Sequence, residues 1–117
     1  MKVKPITAHT QTDVQMDGAD GVHMRILVGP EEGARNFHMR HFEVRPGGHT
    51  PYHQHNYEHE VLILKGRGLV KSEQGDRVFQ AGAVVWVPPN EFHQFQNTGG
   101  EPLEFICLIP APEKCCQ

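Results

Sequence analysis

Long apolar runs are missing from this 117-residue sequence. Its longest ones, such as residues 61–64 and 83–87, span four to five residues, against the roughly 20 that a membrane-crossing helix needs. A basic excess is missing as well: 11 Lys and Arg stand against 14 Asp and Glu, a net charge of −3. Chains that grip the phosphate backbone carry the opposite balance, so neither nucleic acid nor membrane is expected as a partner. Cysteine is scarce. There are three, and Cys115 and Cys116 are neighbours near the end of the sequence, where they cannot easily staple a core. That gives little support for a disulfide scaffold and favours a reducing, cytoplasmic setting. The opening Met1-Lys2-Val3-Lys4-Pro5 has no apolar stretch of the kind a secretory leader carries. Helical periodicity is also lacking: no segment keeps a 3.6-residue period over about eleven residues.

What is present is punctuation. Twelve glycines and nine prolines break the chain into short extended runs. These fall at residues 22–28, 37–44, 61–64, 69–71, 77–79, 83–87, 92–96 and 103–109. Gly29-Pro30, Arg45-Pro46-Gly47-Gly48, Glu73-Gln74-Gly75-Asp76, Pro88-Pro89-Asn90 and Thr98-Gly99-Gly100 read as the turns between them. The apolar phase changes between Met39 and Phe42, which predicts a bulge there. The first twenty residues read as an arm or an edge strand, and the tail at 111–117 as flexible. Short strands with turns every 8–12 residues predict an all-β sandwich or barrel, one domain over 1–117 with its core at about 22–110. A 13.2 kDa chain buries one core with thin margin, so association into a homodimer is expected.

Histidine is the compositional excess, with nine copies. Five of them, His9, His23, His38, His41 and His49, are scattered. Three crowd into His53-Gln54-His55-Asn56-Tyr57-Glu58-His59-Glu60. On a helix His55 and His59 would share a face, but Pro46, Gly47, Gly48 and Pro51 precede them and a β-branched run follows. On a strand His53, His55 and His59 share a parity. Three imidazoles on one side form a neutral nitrogen donor set for a divalent ion; imidazole suits Zn, Cu, Fe and Ni. Further on, Gly82 is followed by Pro88, Asn90, His93 and Asn97 at regular intervals.

Together the two stretches resemble the cupin superfamily. Its first motif is Gly, five residues, His-x-His, three or four residues, Glu, six residues, Gly. Here Gly47, His53, His55, His59 and Gly66 occupy that pattern. Its second is Gly, five residues, Pro-x-Gly, two residues, His, three residues, Asn. Here Gly82, Pro88, His93 and Asn97 occupy it, with Asn90 in place of the second Gly. The resemblance implies a single jelly-roll β-barrel and a divalent transition metal held by His53, His55, His59 and His93. His59 stands where the family has its Glu. The set is similar to the all-histidine, manganese-type centres of small microbial cupins, with Fe, Ni, Cu and Zn as alternatives. Losing the Glu leaves the ion its full charge and raises its Lewis acidity.

Four imidazoles on an octahedral ion leave two positions for substrate, water or dioxygen. Phe95 shares parity with His93, and Phe105, Cys107 and Ile109 share a face of the last strand. Those residues, with Arg40 as an anchor for a carboxylate or enolate, are the expected substrate pocket. Glu60 and His49 are the expected partners behind the ligands. The expected function is a metal-dependent oxidoreductase, a dioxygenase acting on a small organic molecule. A metal-dependent isomerase or lyase of a sugar or keto acid is the alternative, with Glu60 as its base. A non-enzymatic module that binds a ligand or metal is the third reading.

Overall fold

In the computed structural model, which describes residues 1–112, nine strands make one curled sheet. They are β1 (Gln11–Asp13), β2 (Asp20–Val28), β3 (Phe37–His49), β4 (His59–Lys65), β5 (Arg67–Ser72), β6 (Arg77–Gln80), β7 (Val84–Val87), β8 (His93–Asn97) and β9 (Leu103–Pro110). Among the described residues the named helical elements are two short 3₁₀ turns, Ile6–Ala8 and Pro30–Glu32. The order is β6-β5-β8-β3-β9-β4-β7, with β2 also on β3 and β1 on β2, and every pairing is antiparallel. Strands far apart in sequence thus lie side by side, as in a jelly roll. Among the described residues no helix is long and apolar enough to cross a membrane.

β3 is the element that curls the sheet. Its first eight residues pair with β9, and its last, His49, pairs with Gln96 of β8. The turn expected at residues 45–48 is therefore not a turn. Val22 pairs with Val44 and Asp20 with His49, so Gly21 alone faces four residues of β3. Those four bulge outward and bend the strand without ending it. Pro46 is tolerated because it need not donate to the ladder. The bulge expected between Met39 and Phe42 falls on the partner strand, where the β2 register slips between Ile26 and Val28.

Strand parity puts the core inside the curl. His59, Val61 and Ile63 of β4, His93, Phe95 and Asn97 of β8, and Leu103, Phe105 and Cys107 of β9 are all buried and alternate with less buried neighbours. Phe105 stacks between Phe42 and Phe95, with centroids 5.2 and 5.0 Å away. Asn97 closes the following turn: its amide donates to the carbonyls of Val44 (2.9 Å) and Glu101 (2.8 Å), and its oxygen accepts from Gly99 N–H (2.9 Å). Past Pro110, Ala111 is fully buried and its N–H donates to the Asn36 carbonyl. The rest of the expected flexible tail, with Cys115 and Cys116, lies outside the described residues.

Candidate metal centre

The histidines meet at one end of the curl, and they arrive there by two routes. His59 opens β4 and His93 opens β8, both with interior parity. His53 and His55 come from the loop between β3 and β4, not from a strand. The common strand parity expected for His53, His55 and His59 therefore does not exist, because the chain bends at Asn56 and Tyr57. The loop is held instead by a bridge in which the His53 and His93 backbones exchange hydrogen bonds of 3.1 and 2.9 Å. Asn90 N–H also donates to the His55 carbonyl at 2.6 Å. That bond requires the chain to double back at Asn90, whose φ is +66°. Asparagine is among the few side chains that adopt this region readily, so it serves where the family motif has Gly.

One ring nitrogen from each of His53, His55 and His93 lies within 4.8 Å of the others, an arrangement that can hold a metal ion. The His59 ring lies beside this trio, outside the set whose ring nitrogens all fall within 4.8 Å, with its centroid 5.0 Å from His93 and 5.2 Å from His55. The hydrogen bonds decide which nitrogens face the centre. His93 Nδ1 donates to the Glu91 carbonyl at 2.9 Å, which leaves Nε2 as a lone pair. His59 Nδ1 lies 3.2 Å from the sulfur of Cys107. Its Nε2 is buried with no hydrogen-bond partner, an expensive condition unless something binds there. The residues therefore fit a cation.

Electrostatics agree. Burial, then the nearby rings, push His59 down to about 3 and His53 down to about 4, and His55 and His93 are lowered as well, all mainly by burial. At neutral pH all four are uncharged, the form in which imidazole binds a metal.

The rings open on a cavity of about 340 Å³. Its walls include Val22, Met24, Phe42, Phe95 and Phe105, with Arg40 among them. Arg40 sits 5.0 Å over the Phe42 ring and donates to the Cys107 sulfur at 3.4 Å. Burial pushes the Cys107 thiol up. Of the expected pocket, Arg40, Phe95, Phe105 and Cys107 line the cavity. Ile109 does not; it packs against the core two residues beyond Cys107, opposite His38.

The residues expected behind the ligands lie elsewhere. Glu60 alternates with His59 and so points away from the rings, toward Trp86 and Glu58. His49 Nδ1 meets the Thr50 carbonyl and the Gln94 amide. Asp13, which the sequence reading missed, is the one acidic residue at the cavity wall among the described residues, with its side chain 67% exposed on the His23 side of the sheet. It comes from β1, forty residues before the first ligand, and its Oδ1 is 2.6 Å from His23 Nδ1. Tyr57 also lines the cavity and stacks on His55, with centroids 4.8 Å apart.

Comparison with known proteins places this geometry. Residues 40–109 match the family model described as Cupin domain. The chain is 37% identical over 73 residues to 1-methylthio-D-xylulose 5-phosphate methylsulfurylase of Rhodospirillum rubrum, covering 62% of this chain and 47% of that protein. The chain spans about half the length of the curated relatives it matches. The structure of the polyketide cyclase RemF from Streptomyces resistomycificus superposes with a TM-score of 0.88 at 31% identity, over 94% of this chain and 79% of that one. A predicted oxalate decarboxylase from Thermotoga maritima superposes with a TM-score of 0.84 at 26% identity, over 94% and 99%.

Proposed function

The chain belongs to the cupin domain family, and from that premise we propose that it is a metal-dependent enzyme acting on a small carbonyl compound. The proposed ligands are His53, His55, His59 and His93. The observation that carries the reading is the pairing of uncharged, convergent imidazoles with an apolar cavity that holds Arg40 and has Asp13 at its rim. A divalent ion held by neutral ligands would supply Lewis acidity toward a substrate oxygen. Manganese is the proposed ion, after the all-histidine centres the motif resembles; Fe, Ni, Cu and Zn compete on ligand chemistry.

The side chains set the substrate class. Arg40 is the one Lys or Arg on the cavity wall among the described residues. A phosphate dianion is normally gripped by several donors, whereas one guanidinium suits an enol or carboxylate oxygen. Phe42, Phe95 and Phe105 form an apolar floor that excludes water and suits a flat or aliphatic body. Asp13, at the rim of the cavity with its carboxylate paired to His23 and largely exposed, is the proposed acceptor of a proton from the carbon beside the carbonyl. This is the isomerase, lyase or cyclase class. Glu60, on the other side of β4, is replaced by Asp13 as the proposed base.

Dioxygenase chemistry is the second reading, favoured by an uncharged donor set in an apolar cavity. The two part under nitrogen. Metal-loaded protein incubated anaerobically in D₂O with small diketones and aryl ketones should exchange the proton next to the carbonyl, read by NMR. Asp13→Asn should slow that exchange by ~10²–10⁴-fold. Oxygen uptake with no anaerobic exchange for any metal form would transfer the assignment to the dioxygenase.

Two further assignments belong here. We place the protein in the cytoplasm, where its free buried Cys107 thiol stays reduced. We also propose a homodimer, supported by the exposed apolar side chains of Leu62, Val84 and Trp86 on β4 and the edge strand β7.

A further inference from the structure

We propose that Cys107 is a positioning residue of the histidine centre: its sulfur accepts the Nδ1–H of His59 and an N–H of Arg40 together. It thereby fixes the His59 tautomer and ties the pocket's cation to the same point. The inference rests on the metal-centre reading above for its consequence, though not for its geometry.

The geometry starts from proton counting. Arg40 has only donors, so its 3.4 Å contact with Cys107 Sγ uses a sulfur lone pair. His59 Nδ1 lies 3.2 Å from the same sulfur, and two arrangements are open. In the first the thiol donates to Nδ1. The ring proton must then sit on Nε2, which is buried and has no partner. A buried N–H would be orphaned beside three other imidazoles. In the second Nδ1–H donates to the sulfur, and the thiol proton turns to the Leu108 carbonyl, 3.9 Å away. Nε2 then presents a lone pair on the side of the ring away from Cys107. Only the second arrangement satisfies the donors, and it is the one a metal requires.

Cys107 also reads as a core residue, 4% exposed and opposite Val61 of β4. Small buried cysteines are often nothing more. A core filler, however, would be replaceable by valine with an effect on stability alone. A positioning residue is replaceable by serine, which keeps the acceptor, and not by valine.

The test uses Cys107→Val and Cys107→Ser in the full chain. Zn(II) and Mn(II) affinities are measured by competition with a chelator at fixed pH. The His59 tautomer is read from imidazole ¹⁵N shifts in the metal-free protein. Cys107→Val should weaken metal binding by ~10–100-fold, the usual effect of removing a group that orients a ligand, and should mix or invert the His59 tautomer. Cys107→Ser should restore both. A folded Cys107→Val protein with parental affinity and an Nδ1-protonated His59 would overturn the proposal. Should that variant not fold, the parent decides alone: a His59 protonated on Nε2 overturns it, and one protonated on Nδ1 supports it. Failure of the parent to bind either ion would remove the metal centre while leaving the tautomer assignment to stand or fall by NMR.

Discussion

His59 and His93 are both gripped through Nδ1, one by a sulfur and one by the Glu91 carbonyl. The consequence at the scale of single residues is a set of imidazoles held neutral by burial, and it has a pH signature. An imidazole in the unfolded chain takes a proton near 6.5, while His53 waits until about 4 and His59 until about 3. Between those values the unfolded chain holds more protons, so the metal-free fold loses stability as pH falls from 6.5 toward 3. Glu60 acts with the opposite sign. Burial, then Glu58 beside it, push it up to about 7. The native carboxyl keeps its proton where the unfolded one has lost it, so this group costs stability as pH rises from 4.5 to 7. The urea midpoint of the metal-free protein should therefore climb from pH 3.5 to about 6.5, since the histidines outnumber the one carboxyl that opposes them. In Glu60→Gln the climb should be steeper between pH 4.5 and 6.5. Identical profiles for the two proteins would contradict this assignment. The proposed ligand residues were legible in the sequence because the spacing of two motifs, and the resemblance it carries, picks them out. Asp13 and the Cys107–His59 contact were not, since each joins positions that only the fold brings together.

At the scale of elements, the strands were legible and their continuity was less so. Period-two burial located β4, β8 and β9 to within a few residues, because one face of each is core. Residues 45–48 looked like a turn because Pro and Gly mark both turns and bulges, and only the pairing of Asp20 with His49 tells them apart. The segment between β7 and β8 illustrates how a motif position acts through its backbone. Asn90 turns the chain at φ +66° and donates to His55. Asn90→Val places a β-branched side chain in that conformation and should cost ~1–2 kcal/mol of stability, seen as a lower urea midpoint. Asn90→Gly should leave the midpoint within a few tenths of a kcal/mol, since glycine adopts the same angle freely. Equal losses in the two variants would mean that the Asn side chain, not its backbone angle, matters.

Seen whole, the molecule separates chemistry from association. The cavity opens inside the curl, lined by β1, β2, β3, the start of β4, β8 and β9 and the loop between β3 and β4. The outer face of β4 and β7 presents Leu62, Leu64, Val84 and Trp86, between 41% and 74% exposed. A second copy covering that face would bury Trp86 without obstructing the histidines. Jelly-roll topology was foreseeable from strand count and motif order, whereas the cavity wall supplied by β1 was not. That strand is three exposed residues long and has no alternation to read.

The proposed function depends on the four imidazoles holding one ion. The direct measurement is the metal content per chain of protein purified without added metal, for the parent and for His53→Ala combined with His93→Ala. The prediction is about one divalent transition-metal ion per chain in the parent, manganese foremost, and close to none in the double variant. A parent that purifies without metal and takes up none on dialysis against Mn(II), Fe(II), Ni(II) or Zn(II), or a double variant that retains its ion, would contradict the account.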